Sequence, residues 1–426
     1  MIGTHRPKVM FVDDEQAILL ALRRALSDQR TKWEMSFAQS GEAALTMMAA
    51  QPFDVLLTDM RMPGMSGLQL LDTVRDRYPG VIRLVLTGQA SETVSLSATL
   101  SAHQFLVKPC SSEVICSTIE RALRLRYSLL NPHLIQLVTS LHSLPGCPAL
   151  FDRINGELAK PEVSLKVIGD LVAGDAAMAA RLLQLVNSSF FALSQPIVDI
   201  SRAVVLLGLS VLKALLLTTH AFQTTPLARL YPKEVDNLLA HSKQVATLAR
   251  EVARSLKNSP KGLVESSFTA GLLHDLGRLV LLQVKGYHVG VLTAEIDESV
   301  RFVREREFLG GPTHCDVGAY LLSVWGLPNP IIEAVNWHHH PASAGSTGIQ
   351  PLTCVHIAEI LLQELGRRNS PTGVGNAIPL TMENCPGLDR AYLEKIKLLQ
   401  FWPVWVETAH RIVQGGTDEP ENSPGR

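Results

Sequence analysis

A length of 426 residues exceeds what a single compact core usually accommodates and predicts at least two domains. Hydrophobic residues make up 46% of the chain and aromatic residues only 5%, which favours a helix-dominated fold over an all-β one. The net charge of −1 excludes a global positive field of the kind that attracts nucleic acid or anionic membranes.

The chain contains six cysteines and no CxxC pair, which argues against a disulfide framework or a zinc ribbon. We therefore expect ordinary thiols in a reducing compartment. The N-terminus has no apolar signal segment, and the most apolar stretch, Ala203 to Leu217, is too short for a membrane span and contains Lys213. These features predict a cytoplasmic protein without membrane or nucleic-acid partners.

Five short apolar runs alternate with helical patterns over the first 127 residues. Near-continuous apolar strands separated by helices are typical of a parallel sheet that is covered on both faces. The predicted strands are Val9–Val12, Trp33–Ala38, Val55–Leu57, Ile82–Leu86 and Gln104–Val107.

Polar residues follow four of these strands: Asp13 and Asp14 the first, Asp59 the third, Thr87 the fourth and Lys108 the fifth. Each alone is explained as a helix cap, a turn residue or a solvated charge. Together they meet at the edge where open α/β sheets carry their sites. Three carboxylates there suit Mg²⁺, while Lys108 and Thr87 can bind phosphoryl oxygens. Asp59 is then the predicted nucleophile, which forms an acyl phosphate.

Residues 6–127 closely resemble the receiver (CheY-like) domain of two-component response regulators, through the stretches VDDE, LLTDMRMPGMSGLQLL, LVLTG and FLVKP. The resemblance implies an α/β fold of doubly wound (βα)5 type, with strand order 2-1-3-4-5 and Asp59 as phosphoacceptor. It also implies a histidine kinase or phosphotransfer protein as partner. The implied Mg²⁺ ligands and the phosphate-sensing and switch residues are Asp13, Asp14, Asp59, the backbone carbonyl of Arg61, Thr87, Lys108 and Phe105.

The last receiver helix is predicted to begin at Ser111 or Ser112, with an apolar stripe at positions 114, 115, 119, 122 and 123. Asn131-Pro132 disfavours an unbroken helix beyond about residue 130, although a kinked continuation is allowed. The boundary between domains is expected near Pro132 or Pro145-Gly146. A joint this short can transmit a rigid-body change, unlike a long flexible tether.

From residue 143 onward the periodicity is helical, and no strand pattern is evident. The predicted helices include Leu165–Ala173, Asp175–Val186, Ile200–Leu207, Ser210–His220, Val235–Leu256 and Val264–Leu273. The predicted domain organisation is a receiver domain (6–127), a helical linker (128–145), a helical output domain (146–345), a C-terminal helical extension (346–414) and a disordered tail (415–426).

Histidines and carboxylates recur on several of these helices. Such ligands on facing helices can form a metal site inside a bundle, and two ions about 4 Å apart can activate water for phosphodiester cleavage. A hydrogen-bonded core histidine and helix-dipole stabilisation explain individual members equally well. The candidate ligands of divalent transition metals are His241, His274, Asp275, His314, His338, His339 and Glu359.

Residues 136–340 resemble the HDOD (HD-related output domain) family. The stretches that carry the resemblance are LPGCPALFDRI, AARLLQLVNSSFFA, ISRAVVLLGLSVLKALLL, HSKQVATLA, AGLLHDLGRLVL and HCDVGAYLLSVWGLPNPIIEAVNWHHHP. The resemblance implies an all-α, HD-superfamily-like domain. His241, His274 and Asp275 match the ligands of the superfamily. The histidines at 314, 338 and 339 match extra ligands of its HD-GYP branch, and Glu359 stands where catalytic relatives normally have Asp.

Two departures weigh against catalysis. Arg278 follows HDLG where catalytic HD-GYP proteins carry Lys, and PASAGSTG replaces the GYP-containing loop. We therefore expect a phosphorylation-controlled regulator that binds an unidentified downstream partner and can form a homodimer. The alternative is a phosphorylation-gated, metal-dependent phosphodiesterase or phosphohydrolase for a cyclic dinucleotide or guanosine polyphosphate. A transcription factor is disfavoured because no helix-turn-helix or basic stripe is evident.

Overall fold

The computed structural model describes residues 6–87, 101–129, 131–141, 148–158, 160, 162–187, 196–218, 232–256, 259–284, 286–287, 298–345, 348–369 and 380–414. A parallel sheet with flanking helices comes first, and a largely helical region follows. This order of elements confirms the predicted fold class. The predicted boundary at Pro145-Gly146, the tail 415–426 and parts of the HDOD-like stretches (144–147 and 188–192) lie outside the described residues.

Five parallel strands form one sheet in the order β2-β1-β3-β4-β5, the order that the resemblance to receiver domains implies. The strands are β1 (Lys8–Val12), β2 (Glu34–Ala38), β3 (Val55–Asp59), β4 (Ile82–Thr87) and β5 (Gln104–Val107). Their ends differ from the predicted runs by at most two residues. As a result Asp59 and Thr87 are the last residues of their strands rather than the first residues after them.

Successive residues of β1 face opposite sides of the sheet and enter two separate cores. Val9 and Phe11 pack with helices α1 and α4, whereas Met10 and Val12 pack with helices α2 and α3. Burial on both faces explains why the strand sequences are almost continuously apolar. These helices are α1 (Gln16–Ala25), α2 (Gly41–Ala50), α3 (Gly67–Arg77) and α4 (Ser112–Leu129).

Helix α4 begins beside Ser111, whose hydroxyl accepts the N–H of Val114. The predicted apolar stripe is buried at 115, 119, 122 and 123, but Val114 is 46% exposed and does not belong to it. The next helix, α5 (Pro132–Ser140), has Asn131 as its N-cap, with the side chain accepting the N–H groups of His133 and Leu134. The Asn-Pro pair therefore starts a new helix, as the sequence indicates.

Helices α6 to α18 make up the rest of the described chain, in which no strand occurs. The helical element Ile200–Thr218 is interrupted at Gly208, whose φ of 68° and ψ of 169° are not helical, which agrees with the two helices predicted around residues 200–220. His220 lies outside the described residues. The helices are α6 (Pro148–Leu158), α7 (Leu165–Val172), α8 (Ala176–Val186), α9 (Ile200–Thr218), α10 (Pro232–Ser255), α11 (Leu263–Leu273), α12 (Leu276–Leu281), α13 (Glu298–Leu309), α14 (His314–Val324), α15 (Asn329–Trp337), α16 (Pro351–Asn369), α17 (Arg390–Lys395) and α18 (Trp402–Val413).

One apolar core runs through this helical region from Leu129 to Ala409. Leu361 of α16 and Trp405 of α18 belong to it, so the helices after residue 345 share the core of the preceding ones. Within the described ranges, none of the helices has the length and hydropathy needed to span a bilayer.

Candidate functional sites

The first candidate site is an acidic pocket at the carboxyl edge of the sheet. Strands β1 and β3 pair in register at Val12 and Thr58, which places Asp13 and Asp59 side by side. The Nζ atom of Lys108, directly after β5, lies 2.7 Å from Asp13 Oδ2 and 2.5 Å from Asp59 Oδ1. The topology thus brings these three predicted residues together.

Backbone donors orient both carboxylates in this pocket. The N–H of Glu15 donates to Asp13 Oδ1 at 3.0 Å, and the N–H of Arg61 donates to Asp59 Oδ2 at 2.8 Å. Burial lowers the pKa of Lys108, but the two carboxylates outweigh burial and raise that pKa above its usual value. The ammonium therefore stays charged and compensates two buried acids.

The remaining receiver candidates surround this pocket. Asp14 is exposed beside it, whereas Thr87 is buried at the end of β4. Phe105 is buried in the core on the α2–α3 side, opposite Val85 of β4. Receiver domains typically bind Mg²⁺, and the oxygen donors gathered here are of the type that Mg²⁺ prefers.

The second candidate site is a buried cluster inside the helical region, and all seven predicted ligands belong to it. They are His241 on α10, His274 and Asp275 at the junction of α11 and α12, His314 at the start of α14, His338 and His339 after α15, and Glu359 on α16.

Glu359 anchors the first half of the cluster. Its Oε2 atom lies 2.9 Å from His241 Nε2 and 3.3 Å from His274 Nε2. Asp275 Oδ2 is 3.4 Å from the same His274 nitrogen. Although Glu is one methylene longer than the Asp of catalytic relatives, it reaches both imidazoles.

Asp275 also faces the second half of the cluster. Its Oδ1 atom lies 3.3 Å from His314 Nε2 and 3.9 Å from His338 Nε2. The rings of His338 and His339 are 4.0 Å apart, measured between centroids. One carboxylate therefore stands between two groups of imidazoles.

Hydrogen bonds from the far side fix the orientation of three of these rings. The Nδ1 atoms of His274 and His338 lie 2.7 Å and 2.9 Å from the carbonyl oxygens of Gly271 and Val335. Because a carbonyl oxygen can only accept, each Nδ1 carries a proton, and in its neutral form each ring has its lone pair on Nε2, towards the cluster. This is the arrangement of metal-ligating histidines.

Glu305 orients His314 in the same way, although the sequence pattern carried no signal for this partner. This fully buried residue of α13 accepts the Nδ1 proton of His314 at 2.7 Å and its backbone N–H at 2.9 Å. The hydroxyl of Tyr287 donates to the other carboxylate oxygen at 2.6 Å. Burial raises the pKa of Glu305, but His314 outweighs that effect and the pKa falls to about 2.

The buried carboxylates and imidazoles of the cluster shift one another's pKa values. Burial lowers the pKa of His274, yet Asp275 and Glu359 raise it to about 10. His274 Nε2, Asp275 Oδ1 and Glu359 Oε2 are buried, and their contacts are the ion pairs with one another and with neighbouring imidazoles, without hydrogen bonds of good geometry among the described residues. Buried nitrogen and oxygen atoms gathered within ion-pair distance of one another match the donor set of a transition metal.

Arg278 is turned towards an acid of the cluster. Its Nη1 atom lies 2.8 Å from Asp275 Oδ2, and its side chain is buried. Burial raises the pKa of Asp275, but the charges of Arg278 and His274 outweigh it and hold that pKa well below its usual range. Arg278, which stands where catalytic HD-GYP proteins carry Lys, thus pairs with a carboxylate of the protein itself.

Gly277 permits the close approach that assembles this cluster. A Cβ atom at this position would lie 1.9 Å from the carbonyl oxygen of His314 and 2.9 Å from the nitrogen of Gly318. Only glycine lets α12, which follows His274 and Asp275, lie directly against α14, which begins at His314. A signal for this requirement was present in the sequence as the glycine of HDLG.

The receiver sheet binds the helical region through its edge strand β5. Gln104 Nε2 donates to the carbonyl oxygens of Ser323 and Val324, at 3.1 Å and 2.8 Å, in the last turn of α14. Arg121 of α4 donates to Gln104 Oε1 at 3.0 Å, and its carbonyl accepts the hydroxyl of Ser323. Gly326 (φ 78°) follows the helix, where a Cβ atom would lie 2.9 Å from Gln104 Oε1.

A second set of buried contacts involves the start of β5. Arg83 Nη2 donates to the carbonyl oxygen of Thr139 at 2.8 Å, and His103 Nε2 lies 2.9 Å from the same oxygen. Gln184 of α8 donates to the carbonyl of His103 at 3.2 Å. Backbone and side chains of the β4–β5 edge are therefore joined to α5, α8 and α14.

A five-stranded parallel sheet with an acid–lysine pocket, joined to a helical bundle with a histidine–carboxylate cluster, defines a two-domain protein of the response-regulator class. The family model of the response regulator receiver domain matches residues 9–120, and that of the HDOD domain matches residues 144–341. The chain is thus a response regulator with a receiver domain followed by an HDOD domain.

Curated relatives share only part of their length with the chain. The DNA-binding transcriptional regulator NtrC of Escherichia coli (strain K12) is 30% identical over 178 residues, which is 41% of this chain and 38% of that protein. The response regulator protein FleR of Pseudomonas aeruginosa is 35% identical over 117 residues, 27% of this chain and 24% of FleR. The chain spans 38% of the length of the first of these relatives.

Solved structures give similar partial matches. The MmoQ response regulator from Methylococcus capsulatus is 23% identical with a TM-score of 0.40, covering 52% of this chain and 88% of that one. The signal receiver domain of an HD domain-containing protein from Pseudomonas fluorescens Pf-5 is 26% identical with a TM-score of 0.28. That match covers 29% of this chain and 99% of that domain.

Proposed function

We propose that phosphoryl transfer to Asp59 controls how the receiver domain packs on the HDOD domain, and that this change in packing governs binding of a downstream partner. The observation that carries the proposal is the continuity of β5: Gln104 at one end holds α14, and Lys108 beyond the other end pairs with Asp59. A change in the charge of Asp59 therefore acts on Lys108, which lies four residues along the chain from Gln104 and its contact with the helical domain.

In the proposed reaction, a carboxylate oxygen of Asp59 attacks the phosphorus of a phosphohistidine or of acetyl phosphate. The bond between phosphorus and the leaving group breaks, and the leaving group keeps its electron pair. Mg²⁺, held by Asp13, Asp14, Asp59 and the carbonyl of Arg61, would neutralise charge on the phosphoryl group.

The new phosphate then competes for Lys108, whose ammonium group already compensates Asp13 and Asp59. Thr87 is the proposed donor to another phosphoryl oxygen, and its movement would change the packing of Phe105, which is already buried in the core. Phe105 follows Gln104 directly in β5. We propose that these shifts weaken or strengthen the hydrogen bonds of Gln104 with α14. The proposed phosphoryl donor is a histidine kinase or phosphotransfer protein in the cytoplasm.

Labelling with radioactive acetyl phosphate tests the phosphoacceptor. Asp59→Asn should abolish the label, whereas Asp28→Asn, at an exposed position away from the pocket, should retain it. Label that persists in Asp59→Asn would show that another residue is the acceptor. Beryllofluoride with Mg²⁺ should change hydrogen exchange between residues 121 and 145, and unchanged exchange there would contradict control through this joint.

A second candidate function is a metal-dependent phosphohydrolase, favoured by the buried donor atoms of the histidine cluster. His241, His274, Asp275 and Glu359 would hold one ion, and His314, His338 and His339 another. A bound divalent metal there would lower the pKa of a water ligand. The ion pair between Arg278 and Asp275 counts against this function, because it ties up a cation that a phosphate substrate would need.

Element analysis of the purified protein tests the second candidate, followed by assays with a cyclic dinucleotide and with guanosine tetraphosphate. Turnover by the beryllofluoride-activated form that is lost in His274→Ala would support it. Bound metal without turnover of either substrate would limit the cluster to metal binding. Absence of bound metal would rule out the phosphohydrolase function.

A further inference from the structure

Cys315 lies inside the histidine cluster, although an ordinary thiol is predicted from the sequence. It follows His314 in the first turn of α14 and is buried. Its Sγ atom is 3.4 Å from His314 Nε2 and 3.9 Å from His338 Nε2. One donor atom from each of His314, Cys315, His338 and His339 lies within 4.8 Å of the others.

The two sulfur–nitrogen separations are close to those of a tetrahedral zinc site. With Zn–S near 2.3 Å and Zn–N near 2.0–2.1 Å, tetrahedral angles place sulfur and nitrogen ligands about 3.6 Å apart. The two sulfur–nitrogen distances fall on either side of that value. The Nδ1 atoms of His314 and His338 are already engaged with Glu305 and the carbonyl of Val335, which leaves Nε2 for the metal.

We propose that Cys315 is a thiolate ligand and that His314, Cys315, His338 and His339 form a zinc site with three imidazole nitrogens and one sulfur as donors. The inference rests on the metal centre of the second candidate function and specifies its chemistry. The thiol proton is released to solvent as the metal–sulfur bond forms. A soft sulfur donor selects zinc over magnesium or manganese, which prefer oxygen ligands.

Cobalt(II) titration of the full-length, metal-free protein tests this site, with excess Mg²⁺ present to saturate the receiver pocket. The expected spectrum has intense visible ligand-field bands of tetrahedral cobalt and a near-ultraviolet band of thiolate-to-cobalt charge transfer. Cys315→Ala should remove the charge-transfer band and lower zinc affinity by at least about tenfold. The matched control is Cys354→Ala, at a second fully buried cysteine, which should keep both features.

Visible bands without the charge-transfer band in the unsubstituted protein would contradict Cys315 as a thiolate ligand but would still support a metal centre in the cluster. Failure to bind cobalt at all would overturn both. Because the decisive spectrum is that of the unsubstituted protein, the test holds even if Cys315→Ala folds poorly. If Cys315→Ala still binds cobalt and keeps the charge-transfer band, the sulfur ligand is a cysteine other than Cys315.

Discussion

At the residue scale, Glu305 determines whether His314 presents the correct nitrogen to the cluster. It takes both the Nδ1 proton and the backbone N–H of His314, and its pKa of about 2 keeps it ionised at neutral pH. Without that carboxylate, the imidazole could exchange tautomers and rotate. The residue is therefore an orienting partner rather than a ligand.

Glu305→Gln should lower zinc affinity by about 10- to 100-fold, the usual cost of losing an orienting carboxylate. Competition with a chromogenic chelator measures the affinity, and unfolding in urea reports any loss of stability. Glu307→Gln, on an exposed position of the same helix, is the matched control and should leave zinc affinity unchanged. Equal affinities in the two variants would contradict the orienting role.

Residues that follow strands were predictable, whereas partners across helices were not. Asp13, Asp59 and Lys108 meet because parallel strands end at one edge, so topology alone brings them together. Glu305 and Cys315 carried no comparable signal. The contact of Glu305 with His314 depends on how α13 packs against α14, and that of Cys315 with His338 depends on how α15 packs against α14. Helical periodicity does not determine packing angles.

At the element scale, α14 depends on a close contact with α12. Gly277→Ala would place a methyl group 1.9 Å from the carbonyl oxygen of His314, so the helices must separate. We expect a loss of about 1–3 kcal/mol in the free energy of unfolding, together with loss of metal binding. Urea denaturation and metal titration measure the two effects.

Gly366→Ala is the matched control for this substitution. Gly366 lies within α16 and a Cβ atom there meets nothing within 4 Å. Replacing a helical glycine at such a position should raise the free energy of unfolding by about 0.5–1 kcal/mol. Destabilisation of both variants to the same degree would show that close packing of Gly277 is not the cause.

The opposite end of α14 depends on Gln104. Gln104→Ala removes two hydrogen bonds to the carbonyls of Ser323 and Val324 and leaves the Arg121 guanidinium without this acceptor. Leaving buried polar groups unpaired should weaken docking by about 1–3 kcal/mol. Hydrogen exchange should accelerate in the peptide spanning residues 318–328, whereas Gln136→Ala, at an exposed position of α5, should leave it unchanged.

The fold class followed from the sequence because alternation of apolar runs and helices admits few topologies, whereas the strand order was implied by the resemblance to receiver domains. The contact of Gln104 with Ser323 spans 219 residues and had no signal in either local pattern. The sequence indicated two domains and a short joint. The sequence could not indicate that β5 of the first domain contacts the last turn of α14 in the second, because this contact depends on the shape and hydrogen bonding of two folded surfaces.

At the scale of the whole molecule, α14 connects the two candidate sites. Its first residue, His314, belongs to the histidine cluster, and its last turn accepts the hydrogen bonds of Gln104. Eleven residues of α-helix span about 16 Å, so a displacement at one end reaches the other as a rigid-body motion. Phosphorylation and metal binding should then be thermodynamically linked.

We expect saturating beryllofluoride with Mg²⁺ to change the zinc affinity of the histidine cluster by about 5- to 150-fold, the usual range of such coupling. Linkage requires that zinc change the affinity for beryllofluoride by the same factor. A complete inversion of two states at 1:99 needs about 5.5 kcal/mol, more than the few hydrogen bonds of Gln104 and Arg121 supply, so the coupling should bias the HDOD domain rather than switch it fully.

Zinc titrations with and without beryllofluoride measure this coupling. Asp59→Asn is the first control, because it should give the same zinc affinity in both conditions. Gln104→Ala should retain beryllofluoride binding but reduce the coupling, since it breaks the connection between β5 and α14 without altering either site. Full coupling in Gln104→Ala would mean that the signal passes instead through the buried contacts of Arg83 and His103 with Thr139.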